Sequence, residues 1–267
     1  MNNVLFLGAG NMAYAILGGL IAKGEQATQF RAIDPSEDAA VKMANLGVAC
    51  TAAWPSDFKP QAVVLAVKPQ QMQAVLQSHA PRLAGTLLIS IAAGVGVEQI
   101  RNWSGQIESR VVRCMPNTPA LVGQGMSGLY FTNNCTADDK SFAKRIFQSC
   151  GQVIEVQNES DINAITAISG SGPGYVFYLM EGLAKAAVQL GFDQEQAAQL
   201  VKQTFLGAAT LANQSQDTFA ILREKVTSKG GTTFAGLEEL RLAAVDEALI
   251  KAAQAACARA EELQKGG

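Results

Sequence analysis

The sequence predicts an α/β half built on a doubly wound sheet, followed by a half made only of helices. Three observations carry this. Up to about residue 157, short apolar runs of strand length alternate with segments whose apolar residues recur at helical spacing, the pattern of strand–helix–strand crossovers. Glycines close several of the helical segments, as at Gly24 and Gly47. From about Glu159 the alternation gives way to alanine-rich helical patterns alone. The division therefore falls between two domains, 1–158 and 159–267.

In order, "NVLFL" reads as the first strand, and "GAGNMAYAILGGLIAKG" as a turn and helix that stops at Gly24. "FRAI" is a second strand, followed by Asp34, Pro35 and a helix from about Ser36 to Leu46. "AVVLAV" (62–67), "TLLISIA" (86–92) and "SRVVRC" (109–114) are buried strands with helices between them. After "MPNTPALVGQGMSGLYFT" come one more strand-like run, the helix "ADDKSFAKRIFQSCG" and the last strand, "QVIEV" (152–156). Beyond Glu159, five segments are helical in pattern, with Asp193 and Asp217 as suitable N-caps. Small residues on several helix faces point to cover by helices of another subunit. Within this half "VTSKGGTTFAGLEEL" (226–240) breaks the pattern, and a helix is expected to start at Phe234. The paired glycines read either as a small anion site or as a plain helix connection.

Composition excludes several classes of function. The 267 residues are 48% hydrophobic and 16% charged, enough apolar material for a sizeable core. A net charge of -2 argues against nucleic-acid binding. The longest apolar runs are broken by Gly, Lys or Pro, so no membrane span is expected, and "MNNVLFLGAG" does not read as a signal peptide. Five cysteines without a CxxC pair fit reduced thiols in a cytoplasm, with no metal site. The single histidine, His79, reads as a solvated residue at the end of a helix closed by Pro81, which leaves no histidine for acid–base work.

Gly8-Ala9-Gly10-Asn11-Met12-Ala13 follows the first strand and opens the first helix. Gly8 allows the tight turn, Gly10 lets backbone approach a pyrophosphate, and Ala13 permits close helix–strand packing. In this strand–turn–helix setting the motif is a dinucleotide fingerprint of the Rossmann-like kind. Asp34 stands where a carboxylate grips the adenosine ribose, which favours NAD over NADP; the alternative is a turn residue before Pro35. No basic residue follows until Lys42, although Ser36 offers a hydroxyl to a 2′-phosphate.

"GAGNMA", "AVKPQ" (66–70), "AAGV" (92–95), "RCMPNTPALVGQG" (113–125), "ISGSGPGYVFY" (168–178) and "VTSKGGTTFAGLEEL" occur in this order. Together they resemble the pyrroline-5-carboxylate reductase family over the whole chain, "SGSGP" and "VTSKGGTT" being the most specific of them. The resemblance implies a Rossmann domain, a helical dimerisation domain, dimers that form rings, often decamers, and NADPH or NADH as cofactor. It implies that Gly8 to Ala13, the loop Ala66, Val67, Lys68 and Pro69, and the loop Ala92, Ala93 and Gly94 hold the cofactor. Asn117 would face the nicotinamide end and help bind substrate. Gly230, Gly231, Thr232 and Thr233 would take the substrate, with Gly230 and Gly231 offering backbone N–H groups to its carboxylate. Departures from the family pattern are Asp34, Gly174 and Thr232.

The implied reaction reduces 1-pyrroline-5-carboxylate to L-proline. A cyclic imine is basic enough to need no strong general acid, so a hydroxyl suffices. Thr233 is the expected catalytic hydroxyl, and Thr232 or Thr233 the expected cap of the following helix. Lys68 receives no chemical role. Tyr175 and Tyr178 read as core or interface, and Ser169 and Ser171 as groups that hydrogen-bond across subunits. A β-hydroxyacid dehydrogenase would need a lysine where Val176 or Tyr178 stands. A non-enzymatic dinucleotide sensor would need no loop like Gly230–Thr233.

Overall fold

The computed structural model describes residues 3–266. Its sheet contains β1 (Val4–Leu7), β2 (Phe30–Ile33), β3 (Ala49–Thr51), β4 (Ala62–Leu65), β5 (Leu87–Ser90), β6 (Val111–Met115), β7 (Gly125–Phe131) and β8 (Gly151–Val156). The strand order is β3-β2-β1-β4-β5-β6-β7-β8. β1 to β6 are parallel; β7 runs antiparallel to β6, and β8 is parallel to β7.

β1, β4 and β5 are buried at every residue, as expected of central strands covered on both faces. Alternation along β1 sorts its side chains between the two faces. Val4 and Phe6 pack with Ile16, Leu17 and Leu20 of α1 (Asn11–Ala22) and with Phe142, Ile146 and Phe147 of α5 (Ala137–Gln148). Leu5 and Leu7 pack with Met72 and Leu76 of α3 (Pro69–Leu83) and with Ile100 of α4 (Val97–Ser104). α2 (Glu37–Ala44) is capped by the Ser36 hydroxyl.

Some elements differ from the sequence expectation. β3 has only three residues, two of them exposed, too short to leave an alternating signature. Pro81 lies inside α3, which continues to Leu83, so the proline does not close it. His79 is half-buried beside Trp54, ring centroids 5.5 Å apart. Burial, and then the charge of Arg82, push its pKa below the usual histidine range.

The second half holds α6 (Asp161–Ile165), a π turn (Thr166–Gly170), α7 (Gly172–Gln189), α8 (Gln194–Gln214), α9 (Phe219–Lys225), α10 (Thr232–Leu242) and α11 (Val245–Gly266). Asp193 caps α8 as expected, its carboxylate accepting from the Gln196 amide at 2.8 Å. α9 is capped by Thr218 instead of Asp217, whose carboxylate is drawn to Lys225 and Ser215. By contacts the chain forms two compact units, one running to Pro173 and taking in the chain from Ala255, the other Gly174–Gln254. That division falls later than the compositional one at 158/159, because α6 packs on the sheet. Ile162 is buried, and Ile165 sits so close over Gly128 that a Cβ there would stand 2.6 Å away.

Between α10 and α11 the backbone turns at Ala244, with φ of 51° in the left-handed region. An L-residue is strained there by about 1–2 kcal/mol, whereas glycine is free of this penalty but adds unfolded-state entropy. Ala244→Gly is expected to raise stability by about 0.5–1 kcal/mol net, read as a higher urea midpoint with an unchanged slope.

Candidate active site

Strand order reverses between β1 and β4, the point at which an open doubly wound sheet forms its ligand crevice beyond the carboxyl ends of the strands. Every first-half residue read from the sequence as cofactor- or substrate-binding lies at that edge, on a loop or in the first turn of the helix that follows it. Gly8 to Ala13 follow β1, Asp34 and Ser36 follow β2, Ala66 to Pro69 follow β4, Ala92 to Gly94 follow β5, and Asn117 follows β6.

Gly8 is required twice over. Its φ is +98°, and a Cβ would lie 2.6 Å from the Ala66 carbonyl oxygen and 2.8 Å from the Val67 nitrogen. The β1 and β4 loops thus meet backbone to backbone. Gly10 is the N-cap of α1 with no side-chain cap, and a Cβ there would meet nothing within 4 Å. An uncapped helix start facing open space suits a pyrophosphate, so these residues fit a dinucleotide.

Asp34 ties this loop to the next. One carboxylate oxygen accepts from the Ala9 N–H at 2.9 Å and the other from the Ser36 N–H at 3.0 Å. The Ser36 hydroxyl accepts from the Ala39 amide at 3.4 Å as the cap of α2. Lys42, on the last turn of α2, donates to the Asn11 side-chain oxygen at 2.6 Å and lies over the Tyr14 ring. A cation therefore stands at the glycine loop, which the sequence reading missed. The helical period places residue 42 almost two turns beyond Ser36 on α2, but only the fold brings α2 beside Asn11.

Lys68 is exposed and serves through its backbone as the N-cap of α3, with Pro69 at the first helical position. Past β5, Gly94 has φ of +72° and Gly96 caps α4. Glu159 holds this segment. Its Oε1 accepts from the Val97 N–H at 2.7 Å and from the Arg113 guanidinium at 3.1 Å. The Arg113 side chain is only 2% exposed. Burial pushes its pKa down, and Glu159 pushes back through charge and hydrogen bond.

Asn117 is buried, and its amide is already engaged, donating to the Ser169 carbonyl at 2.9 Å and accepting from the Met126 N–H at 2.8 Å. It links the β6–β7 loop to the π turn. The Ser169 hydroxyl donates to Ile165 at 3.1 Å. Tyr178 is 76% exposed.

Gly230 to Thr233 belong to the other unit. α10 begins at Thr232, not Phe234, and its N-cap is Gly231, so neither threonine caps it. Gly230 takes φ of +71°, and the Gly231 N–H turns back to the Ser228 carbonyl at 3.0 Å. The donors without an intrahelical acceptor are instead the N–H groups at the start of α10, from Thr232 on. A Cβ at Gly231 would meet the Ser228 hydroxyl and would stand 3.2 Å from the Ser228 carbonyl oxygen. Thr232 and Thr233 are both exposed.

Comparison with known proteins decides what this arrangement is. Residues 159–263 match the family "Pyrroline-5-carboxylate reductase dimerisation", and residues 3–94 match "NADP oxidoreductase coenzyme F420-dependent". The pyrroline-5-carboxylate reductase of Pseudomonas aeruginosa is 42% identical over 97% of both chains. The chain belongs to the pyrroline-5-carboxylate reductase family. The solved pyrroline-5-carboxylate reductase of Coxiella burnetii superposes with a TM-score of 0.92 at 41% identity, covering 98% of each chain. That of Plasmodium falciparum, with NADP bound, gives 0.86 at 30% identity, again covering 98% of each. Members of this family are NAD(P)-dependent oxidoreductases, and so is this chain. Among the described residues no helix is long and apolar enough to cross a membrane, and no group of three or more His, Cys, Asp or Glu is placed to hold a metal ion.

Glu159→Ala strips the buried Arg113 of its counter-charge and the Val97 N–H of its acceptor. A stability loss of about 3 kcal/mol is expected, and urea unfolding checks it.

Proposed function

We infer that the chain reduces 1-pyrroline-5-carboxylate to L-proline, the last step of proline biosynthesis, with NADPH or NADH as reductant. The observation that carries this reading is the start of α10, where Gly231 leaves the helix uncapped by any side chain and Thr232 and Thr233 occupy its first turn. The N–H groups of that turn suit the substrate carboxylate, reinforced by the helix dipole. The exposed Thr233 hydroxyl is the group assigned to the ring nitrogen. Hydride for the ring carbon is the chemistry that a bound nicotinamide supplies. Gly230 and Gly231 shape the turn; Asn117 holds the β6–β7 loop at the cofactor edge through its two backbone contacts.

A division into a dinucleotide-binding domain, 1–158, and a substrate-binding and dimerisation domain, 159–267, belongs to this reading. In Gly174–Gln254 the buried apolar side chains are Ala197 and Val201 alone among the described residues, while Leu190, Phe219 and Leu242 are each at least 80% exposed. Such a surface favours a second copy as cover, giving a homodimer and rings of dimers in a cytoplasm. The substrate turn of one chain then serves the dinucleotide loops of its partner. Gly10→Asp and Thr233→Ala, each severely impaired alone, are expected to regain activity above that of either variant when co-expressed; mixed dimers shown by mass to be present yet no more active than the single variants would overturn the shared site.

Consumption of NADPH and of NADH with pyrroline-5-carboxylate, titrated separately, tests the activity. Thr233→Ala is expected to lower kcat by about a hundredfold with dinucleotide affinity nearly unchanged, by loss of one transition-state hydrogen bond. Unchanged kcat/KM would remove Thr233 from the mechanism.

Cofactor choice rests on two opposed charges at the adenosine end. Asp34→Ser is expected to raise the NADPH-to-NADH ratio of kcat/KM by about tenfold, and Lys42→Ala to lower it by a similar factor. A ratio unmoved in both would place the 2′ position away from both groups.

A further inference from the structure

We propose that the last turn of α11, through Leu263 and Gln264, is a brace for the segment Gly94–Val97, which carries the cofactor-side loop Ala92–Gly94 into α4, and so sets dinucleotide affinity. The inference rests on the reading of that loop as cofactor-binding.

The loop is backbone-rich. Ala93-Gly94-Val95-Gly96 carries two glycines, one in the left-handed region, and such a segment loses more entropy on ordering than any other. Three side chains, those of Leu263, Gln264 and Glu159, fix it. A Cβ on Gly94 would stand 2.8 Å from the Leu263 Cβ, so the loop backbone lies directly on the helix. A Cβ on Gly96 would stand 3.1 Å from the Gln264 amide nitrogen and 3.3 Å from Glu159 Oε1. Gln264 is itself positioned, its Oε1 accepting from the Asn163 amide at 3.2 Å, and Asn163 is buried. Beside it, Glu159 takes the Val97 N–H and is anchored on Arg113.

All these residues belong to one compact unit. The chain from Ala255 is counted with the sheet and not with the helices Gly174–Gln254, so the end of α11 belongs to the dinucleotide side of the protein. Leu263 is 45% exposed, so its removal opens no core. A side chain that fills no core but touches a glycine loop at the cofactor edge has preorganisation as its physical effect. Leu263 and Gln264 are thus positioning residues, acting through the loop backbone.

The test uses the full chain and two variants, one ending after Glu262 and one carrying Leu263→Gly with Gln264→Ala. NADPH and NADH are titrated by dinucleotide fluorescence without imine, and amide hydrogen exchange is followed at residues 93–97. Both variants are expected to raise the dinucleotide Kd by about tenfold, to speed exchange at 93–97, and to hold kcat at saturating cofactor within about twofold of wild type. The point variant decides the matter if the shortened chain fails to fold. An unchanged Kd in a folded variant overturns the brace. Gly10→Asp, run alongside, separates the two readings: if it too binds both dinucleotides normally, the cofactor site itself is misplaced, whereas loss of binding there with normal binding in the brace variants overturns the brace alone.

Discussion

The backbone of Gly8 runs against the backbone of Ala66 and Val67, with no space for even a methyl group between them. This approach lies where the strand order reverses, so the loops after β1 and β4 form adjoining walls of one crevice. The uncapped start of α1 and the exposed start of α3 are presented by those same loops. Any side chain at residue 8 would force the two walls apart and also strain a φ of +98°. The remaining loops of the edge add to a crevice whose position this contact has already fixed.

Charges secure what the glycines leave loose. Asp34 bonds N–H groups on both the β1–α1 turn and the β2–α2 turn, so the carboxylate is structural whatever it does for a ribose. Glu159 plays the corresponding part for the loop after β5, and it reaches there from beyond the last strand because the buried Arg113 on β6 draws it in. A carboxylate that accepts several hydrogen bonds while facing a cation is well compensated for its partial burial. This edge is therefore assembled from residues far apart in the chain, Val97 and Glu159 lying 62 positions apart.

The helical unit follows a different rule. Its helices are regular and well capped, at Asp193 and Thr218 for example, yet bury little of their own apolar surface. Local structure there comes from propensity and capping more than from burial of apolar surface. The turn before α10 is the exception to the regularity. Gly230 and Gly231 give up helix so that Thr232 and Thr233 open a new one with its N–H groups bare.

The sequence by itself determined the alternating half, the helical half and the family. Those signals are local: apolar runs of strand length, glycine terminators, and motifs whose residues are neighbours in the chain. It also indicated that the loops after β1, β2, β4 and β5 share one edge, because in a doubly wound sheet each loop after a parallel strand reaches the same edge. What only the tertiary structure decided depends on long-range contact. Lys42 meets Asn11 across 31 residues, Asn117 is committed to Ser169 and Met126, and Leu263 lies on Gly94; no periodicity records such pairs. Helix ends were misread where competing bonds settled them. Asp217 was taken by Lys225 and Ser215 and left Thr218 to cap α9, and Gly231 became the cap of α10 in place of the two threonines, the chain turning at Gly230, whose φ of +71° lies in the left-handed region.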